Sequence, residues 1–387
     1  MSLPKLPLTA SSFPTLRSAR RRYVDKTDLI HQMASRGRGK FLLARPSGFG
    51  KSLLLSVFES LFEHGLKDFQ GLEIERLWRE RTYPVLRLDF SSMSAFETAE
   101  AFHEALGRMM KDAAGRAGVE LPKADHDPIG RFSSCLAGLK DAGVVVLIDD
   151  FDAPLLAHPW NAALSRVVCG ALNRIFAALK SYEGGLRFCA ITSTCRFRNE
   201  IFPGLNAFDD ISLNPRFAAL TGFTREEIRE TLGDHLASCG QALNLSPEET
   251  MRAIEELYGG FSFDETARLR VCSPRSVLQF LEHPETCWKN NGLDRSTMPP
   301  GLMRLLKSRI DSSAAEILLG SRPADLAGLK MDVDIREVPL DALLLYAGFL
   351  TVREGILPGI VELGSPNREA EASFERLCAG FKRKLEN

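Results

Sequence analysis

Residues 41–62 read FLLARPSGFGKSLLLSVFESLF, which is an apolar segment, a glycine-containing turn and an amphipathic segment in succession. The run from Phe41 to Ala44 predicts a buried strand, which ends where Arg45 and Pro46 begin a turn. Apolar residues then recur at helical spacing as far as Gly65, at positions Leu54, Leu55, Phe58, Leu61 and Phe62. A strand, a turn and a helix in this order predict the first unit of an α/β fold.

Three similar apolar segments lie further along the chain, at residues 84–90, 144–148 and 186–192. Helical periodicity occupies two of the intervals, from about residue 95 to 117 and from about residue 164 to 179. Nearly continuous apolar runs are typical of strands that are buried on both faces. The sequence therefore predicts a parallel sheet covered by helices on both sides.

The pattern changes after Thr221. Thr224 followed by Glu227 is a capping box, which predicts the start of a helix. Short helices are predicted near residues 246–257, 274–282 and 300–311, and a strand pair at 350–352 and 360–363. We expect a boundary between 220 and 225, dividing the chain into residues 1–222 and a mostly helical region of residues 223–387.

The turn after the first strand carries phosphate-binding chemistry. Gly48 to Ser52 resembles the end of a Walker A loop, in which glycines expose backbone N–H groups and the lysine reaches the β- and γ-phosphates. The Ser52 hydroxyl is a Mg²⁺ ligand in this scheme. Arg45 stands where the first Walker glycine is expected, and the alternative is an ordinary turn before a helix. The predicted ATP-binding residues are Arg45, Pro46, Ser47, Gly48, Phe49, Gly50, Lys51 and Ser52.

Acidic residues follow the third predicted strand, as in a Walker B segment. Asp149 is predicted to hold Mg²⁺, and Asp150 or Asp152 to position the attacking water. Arg196, which follows the fourth strand, is predicted to sense the γ-phosphate. The alternative is that the three carboxylates cap a strand in solvent and that Arg196 is a surface arginine.

Composition excludes a disordered chain and a collagen-like chain. Of 387 residues, 26% are charged and 44% apolar, which is a globular balance. The formal net charge is −1, although residues 1–40 hold nine Lys/Arg against two Asp. Their cluster Arg17, Arg20, Arg21 and Arg22 is interpreted as a solvated face, or as a contact with nucleic acid or a nucleotide phosphate. No apolar run reaches the roughly 18 residues of a membrane span, and no signal peptide is recognisable, so a cytoplasmic protein without a membrane partner is expected.

Two smaller clusters invite a metal or nuclease interpretation. Asp125-His126-Asp127 precedes Pro128, so a turn before a helix is the preferred interpretation over a metal site. Glu369, Glu371, Glu375 and Lys382 fall on one predicted terminal helix and are expected to form a solvated face.

The ordered set of motifs resembles the prokaryotic AAA-ATPase-like family over about residues 5–380. The matching stretches are YVDKT at 23–27, RPSGFGKS at 45–52, LDF at 88–90, LIDDFDAP at 147–154, RF at 196–197, GFT at 222–224, YGGF at 258–261 and SPN at 365–367. The resemblance implies a P-loop NTPase core that binds ATP, followed by a helical, winged-helix-like region. It also accounts for Arg45, because this family begins the loop with Arg-Pro.

The chain departs from the family pattern at several positions. Ser47 and Gly48 replace two arginines, Asp150 replaces a glutamate, and the family's Asn-Pro-Trp-Ser stretch reads Ser-Pro-Arg-Ser at 273–276. Family members commonly continue into a nuclease domain, which is not assigned to this chain.

Three functional hypotheses follow. The first is a Mg-dependent ATPase that acts as a conformational switch in a DNA-related or defence context. The second is a nucleotide-locked module that hydrolyses weakly and regulates or scaffolds DNA or a nuclease acting in trans; the third is a remnant of a longer nuclease fusion. Homo-oligomerisation is compatible with each.

Overall fold

The computed structural model describes residues 3–93, 95–122, 127–289, 298–310, 320–332 and 337–385, with side chains as far as residue 378. A five-stranded parallel sheet forms the centre of the N-terminal part, in the order β2-β3-β4-β1-β5. Its strands are β1 (Gly39–Ala44), β2 (Val85–Asp89), β3 (Val144–Asp149), β4 (Leu186–Ser193) and β5 (Asp209–Asp210). The α/β class and four of these strands are confirmed.

Helices cover both faces of this sheet. They are α1 (Phe13–Ser18), α2 (Thr27–Ala34), α3 (Lys51–His64), α4 (Ala99–Arg116), α5 (Pro128–Gly138), α6 (Ala153–Ala157) and α7 (Ala162–Ser181). Alternate residues of β3 point to opposite layers: Val145 and Leu147 pack with α3, whereas Val146 and Ile148 pack with α4, α5 and α7. Burial on both faces explains why β3 is apolar throughout.

Helix α7 is long and apolar enough to cross a membrane, with a mean hydropathy of 1.4 over its most apolar window. Half of that window is buried, and Val168, Leu172 and Ile175 pack in the apolar layer beside the sheet. These contacts identify α7 as a core helix of the α/β fold. A single helix of this kind is weak evidence for a membrane span.

The C-terminal part is mostly helical, with a second small sheet. Its helices are α8 (Arg225–Leu243), α9 (Pro247–Tyr258), α10 (Pro274–Glu282), α11 (Pro284–Lys289), α12 (Pro300–Arg309), α13 (Leu340–Tyr346) and α14 (Arg368–Leu385). Strands β6 (Arg322–Asp325), β7 (Thr351–Leu357) and β8 (Ile360–Gly364) form an antiparallel sheet in the order β6-β8-β7. The predicted strand pair is present as β7 and β8. Strand β6 was not predicted, because Arg-Pro-Ala-Asp carries no apolar alternation.

The capping box at the start of α8 has both of its hydrogen bonds. The Glu227 N–H donates to Thr224 Oγ1 and the Thr224 N–H donates to the Glu227 carboxylate. Lys26, at the start of α2, is buried against the same carboxylate at 2.5 Å. One glutamate thus caps α8 and ties it to the N-terminal segment.

The basic N-terminal cluster is largely engaged within the fold. Arg17 donates to the carbonyls of Asp68 and Gln70, and Arg21 to that of Leu6. Arg22 pairs with Asp234 of α8 at 2.8 Å. Three of the four arginines therefore fasten the N-terminal segment, which corrects the interpretation of the cluster as a wholly solvated face.

Of the two smaller clusters in the sequence, the one ending at Asp127 is a helix cap as predicted, whereas the one beginning at Glu369 is not wholly solvated. Asp127 caps α5 by accepting the N–H groups of Ile129 and Gly130, as expected of a turn before a helix, while Asp125 and His126 lie outside the described residues. Glu369 corrects the prediction of a solvated face on α14. It is 2% exposed and accepts a hydrogen bond from Ser276 Oγ at 2.9 Å.

Helix α12 packs directly on α6, the helix that follows the acidic end of β3. An ideal Cβ on Gly301 would lie 1.3 Å from the carbonyl oxygen of Leu156. Replacing Gly301 by alanine is therefore expected to push α12 away from α6 and to lower the free energy of unfolding by about 3 kcal/mol. Denaturant-induced unfolding measures this change.

Gly170→Ala is the matched control, because Gly170 is an exposed residue of α7 with nothing within 4 Å of an added Cβ. Alanine there is expected to raise stability by about 0.5–1 kcal/mol, since it is the better helix former. Equal stability of the Gly301→Ala chain and the unchanged chain would contradict the close contact between α6 and α12.

Candidate functional site

The loop between β1 and α3 is built to present backbone N–H groups. Gly48 and Gly50 have φ values of +89° and +85°, in the left-handed region that favours glycine. Gly50 precedes α3 directly, and no side chain among the described residues caps this helix end. A 14-residue helix therefore turns its first N–H groups and the positive end of its dipole toward this loop, an arrangement that favours an anion.

Lys51 is the first residue of α3 and is 6% exposed. Its Nζ donates to the carbonyl oxygen of Arg45 at 3.0 Å and lies 3.3 Å from Asp150 Oδ1. The ammonium group is thus held over the loop by one backbone oxygen and one carboxylate. A phosphate group that enters the loop would compete with Asp150 for this cation.

Asp149 ends β3 beside the Ser52 side chain. Its Oδ1 also accepts from Thr192 Oγ1 at 2.7 Å, and its Oδ2 lies 3.1 Å from Arg87 Nη2. Burial, and then the charge of Asp150, raise the pKa of Asp149 above its ordinary value. The carboxylate therefore lies beside the serine hydroxyl predicted to share a cation with it.

The donor set fits Mg²⁺ held jointly by protein and nucleotide. Among the described residues, no group of three His, Cys, Asp or Glu side chains could hold a metal ion by itself. Mg²⁺ commonly takes one or two protein oxygens and completes its shell with phosphate and water. Ser52 and Asp149 supply two such oxygens beside the loop.

Asp150 has an unusual backbone. Its φ is +46°, in the left-handed region, where a non-glycine residue costs about 1–3 kcal/mol. Its Oδ1 is buried and accepts no hydrogen bond from the described part of the chain, although Lys51 lies beside it. Backbone strain of this kind is concentrated at functional sites.

Asp152 is fully buried, and both of its oxygens are occupied. They accept the N–H of Thr194 at 3.0 and 3.1 Å, and Oδ2 also accepts the N–H of Cys195 at 2.9 Å. Burial, assisted by the charge of Asp150, raises the pKa of Asp152 to about 6. In this geometry the carboxylate fastens the end of β4 to the acidic segment.

Arg196 lies at the end of β4, but its side chain is turned toward β5. Nε and Nη2 donate to Asp210 Oδ2 at 3.0 and 2.9 Å. Its carbonyl oxygen accepts the N–H of Met331 from the C-terminal part at 2.7 Å. To contact a γ-phosphate, Arg196 would have to leave Asp210.

The Arg45 side chain is a buried support of the loop. It is 1% exposed and donates to Thr221 Oγ1 and to the carbonyls of Ala44, Ser212 and Phe217. Its guanidinium lies 4.0 Å from the centre of the Phe263 ring. Burial lowers the pKa of Arg45 to about 9. The structure therefore connects Arg45 to the C-terminal part, and its carbonyl oxygen holds Lys51.

The other loop residues also contact the C-terminal part. The Phe49 ring is buried edge-on against Phe261 and Phe263, each with a centroid distance of 4.9 Å. Pro46 and Ser47 line a small cavity of about 40 Å³ beside Ser273 and Glu369, between the loop and the C-terminal helices.

A larger cavity of about 360 Å³ opens beside the loop. Its lining includes the N-terminal residues 7–11 and 22–24, the loop with the start of α3, residues 220–223 at the boundary of the two parts, and Pro274, Arg275 and Leu278 of α10. Leu8, Val24, Leu54 and Leu278 give it an apolar lining. An apolar cavity next to an anion-binding loop has the layout required by a nucleotide, with a base beside a phosphate chain.

Arg275, from α10, was missed as a site residue. A Cβ on Gly48 would lie 3.6 Å from Arg275 Cβ, so the arginine stem runs along the loop and lines both cavities. Arg275 forms no ion pair with any residue that the structure describes. Its signal was the departure at 273–276, where an arginine follows the proline that begins a helix.

Comparisons with known proteins place the chain in a family and give two similar proteins. The model of a family described as "Predicted AAA-ATPase", AAA-ATPase-like, matches residues 7–202. A relative from Azotobacter chroococcum mcd 1, described as "Uncharacterized protein in vnfD 5'region", is 27% identical over 386 residues, which cover 97% of this chain and 70% of the relative. Among solved structures, the Aeropyrum pernix ORC2 protein in its ADPNP–ADP complexes aligns over 100% of this chain and 97% of its own, with 10% identity and a TM-score of 0.31.

Proposed function

The chain belongs to the AAA-ATPase-like family, and on that premise we propose that it binds Mg-ATP at the Lys51 loop and hydrolyses it to drive a conformational switch. Family membership makes it a nucleotide-binding protein of the ATPase type. The observation that carries the proposal is the meeting of Lys51, Ser52, Asp149 and Asp150 at one end of the sheet, beside the 360 Å³ cavity.

Each side chain has a role in this proposal. The N–H groups of the loop and Lys51 bind the β- and γ-phosphates, while Ser52 and Asp149 hold Mg²⁺, which neutralises the phosphate charge when bound. Asp150 is released from Lys51 when phosphate arrives and then orients the attacking water. Asp152 acts as a positioning residue, because its oxygens are taken by backbone N–H groups.

The switch would reach the C-terminal part through contacts at the loop itself. Phe49 is held by Phe261 and Phe263, and the Arg45 guanidinium lies 4.0 Å from the centre of the Phe263 ring. A change in the loop on nucleotide binding therefore alters buried contacts of the C-terminal part directly. The proposal places the protein in the cytoplasm. The partners of the switch in this proposal are further copies of this chain, DNA or a separate nuclease.

Arg275 is proposed to bind the phosphate chain from the C-terminal side. Arg275→Ala is expected to weaken ATP binding about tenfold, because a charge-assisted contact is lost. Calorimetric titration with ATP measures the affinity. Arg252→Ala, at an exposed position of α9, is the control and should leave the affinity unchanged. Equal affinities of all three chains would exclude Arg275 from the site.

The proposal is tested by measuring ATP binding and phosphate release on the same sample, with Mg²⁺ present. Saturable binding with steady phosphate release is expected. Absence of binding would overturn the proposal. Tight binding without phosphate release would favour the nucleotide-locked module, for which the short side chain of Asp150 and its pairing with Lys51 are the supporting observations.

A further inference from the structure

Arg87 brings a second cation to the position assigned to Mg²⁺. It lies on β2, where it is paired with Leu147 of β3, so that Asp149 is two positions further along the neighbouring strand. Side chains two positions apart share a face of a sheet. The Arg87 side chain, 15% exposed, therefore runs along β3 to the carboxylate.

The guanidinium is fixed by three oxygens. Nη2 lies 3.1 Å from Asp149 Oδ2 and 3.2 Å from the carbonyl oxygen of Ser52, and Nη1 lies 2.8 Å from Glu59 Oε2. Two of these oxygens belong to the residues that supply the Mg²⁺ ligands. Because Thr192 occupies the other oxygen of Asp149, each oxygen of this carboxylate already has a donor.

A fixed positive charge beside Asp149 has two effects on this site. It neutralises part of the carboxylate charge in the absence of metal, and it repels any divalent cation that uses the same carboxylate. Both effects lower the affinity for the metal. By pairing with Asp149 and Glu59, Arg87 also cancels carboxylate charge that would repel the phosphate chain, so it replaces some of the neutralisation that a nucleotide otherwise obtains from Mg²⁺.

We propose that Arg87 is a built-in counter-cation that lets this site bind ATP with little dependence on Mg²⁺. The proposal deepens the function proposed above and depends on it. In this proposal Arg87 determines how strongly ATP binding depends on Mg²⁺. A site with only the serine and the aspartate would depend on the metal to neutralise the phosphate charge. The arginine is a positioning and charge-balancing residue of the site.

The test is a titration with a fluorescent ATP analogue, with saturating Mg²⁺ and with a chelator. For the unchanged chain we expect the affinities with and without Mg²⁺ to differ by less than about fivefold. For Arg87→Leu we expect this ratio of affinities to be at least about tenfold larger than in the unchanged chain. Arg87→Lys, which keeps the charge, should behave like the unchanged chain. Arg116→Leu is the matched control, because Arg116 is exposed and its one side-chain hydrogen bond within the described part of the chain goes to the Arg87 carbonyl oxygen.

The failures of the two proposals are distinguishable. No binding by the unchanged chain under either condition would overturn the proposed function itself. Binding that strengthens more than about fiftyfold on adding Mg²⁺ to the unchanged chain would overturn the role of Arg87 alone, whether or not Arg87→Leu folds. An equal Mg²⁺ dependence of the unchanged chain and a folded Arg87→Leu chain would do the same.

Discussion

The Lys51→Ala chain is expected to bind ATP at least about a hundredfold more weakly than the unchanged chain, and its kcat/KM for hydrolysis should fall at least about a thousandfold. Lys51 provides the cation directly over the loop, and the carbonyl oxygen of Arg45 fixes its direction. Its contacts with the β- and γ-phosphates strengthen as charge moves during transfer, so hydrolysis should lose more than binding does. Equilibrium titration and phosphate release on the same samples measure both quantities.

Two controls accompany this substitution. Lys67→Ala removes an exposed lysine just beyond α3 and should change neither quantity. A thermal melt of Lys51→Ala checks the fold, since Asp150 Oδ1 loses the cation beside it. If a folded Lys51→Ala chain bound ATP as tightly as the unchanged chain, the loop would not be the nucleotide site.

The arrangement of the central strands was predictable because it depends on local patterns. Continuous apolar runs such as 144–148 indicate strands buried on both faces, and the carboxyl ends of parallel strands lie at one edge of their sheet. For this reason the sequence predicts that Lys51 and Asp149 lie near one another. In the structure Asp149 lies beside Ser52, the residue that follows Lys51.

The residues that were missed lie far along the chain from the loop that they contact. Arg275 reaches Gly48, and residues 7–11 form one wall of the cavity. No periodicity links such distant segments. Arg87 had a recognisable signal, because an arginine inside an otherwise apolar strand must find a partner within the fold. What the sequence did not reveal was that this partner is Asp149.

Arg45 illustrates a different difficulty. Its place in the Arg-Pro start of the loop put it among the predicted ATP-binding residues. In the structure its donors are taken by three carbonyls and one hydroxyl, and an aromatic ring covers it. Side-chain direction decides between these roles, and residue type alone does not determine it.

Asp150→Asn is expected to lower the rate of ATP hydrolysis about a hundredfold while leaving ATP affinity equal or severalfold tighter. Asparagine tolerates the left-handed backbone at this position, so the fold should be kept. It removes the charge that orients water, which lowers turnover. It also removes the charge that holds Lys51 in the absence of nucleotide, so phosphate no longer has to displace a carboxylate. Single-turnover phosphate release and equilibrium titration measure the two effects.

Asp152→Asn and Asp141→Asn separate this role from those of other carboxylates. Asp152 accepts backbone N–H groups through both oxygens, so its amide variant should chiefly lower stability, by about 1–2 kcal/mol. Asp141 is exposed, and its variant should change nothing. Loss of turnover in a stable Asp152→Asn chain, with full activity in Asp150→Asn, would move the water-positioning role to Asp152. Weakened ATP binding in Asp150→Asn would contradict the exchange of Lys51 between Asp150 and phosphate, because that exchange requires the carboxylate to compete with the nucleotide.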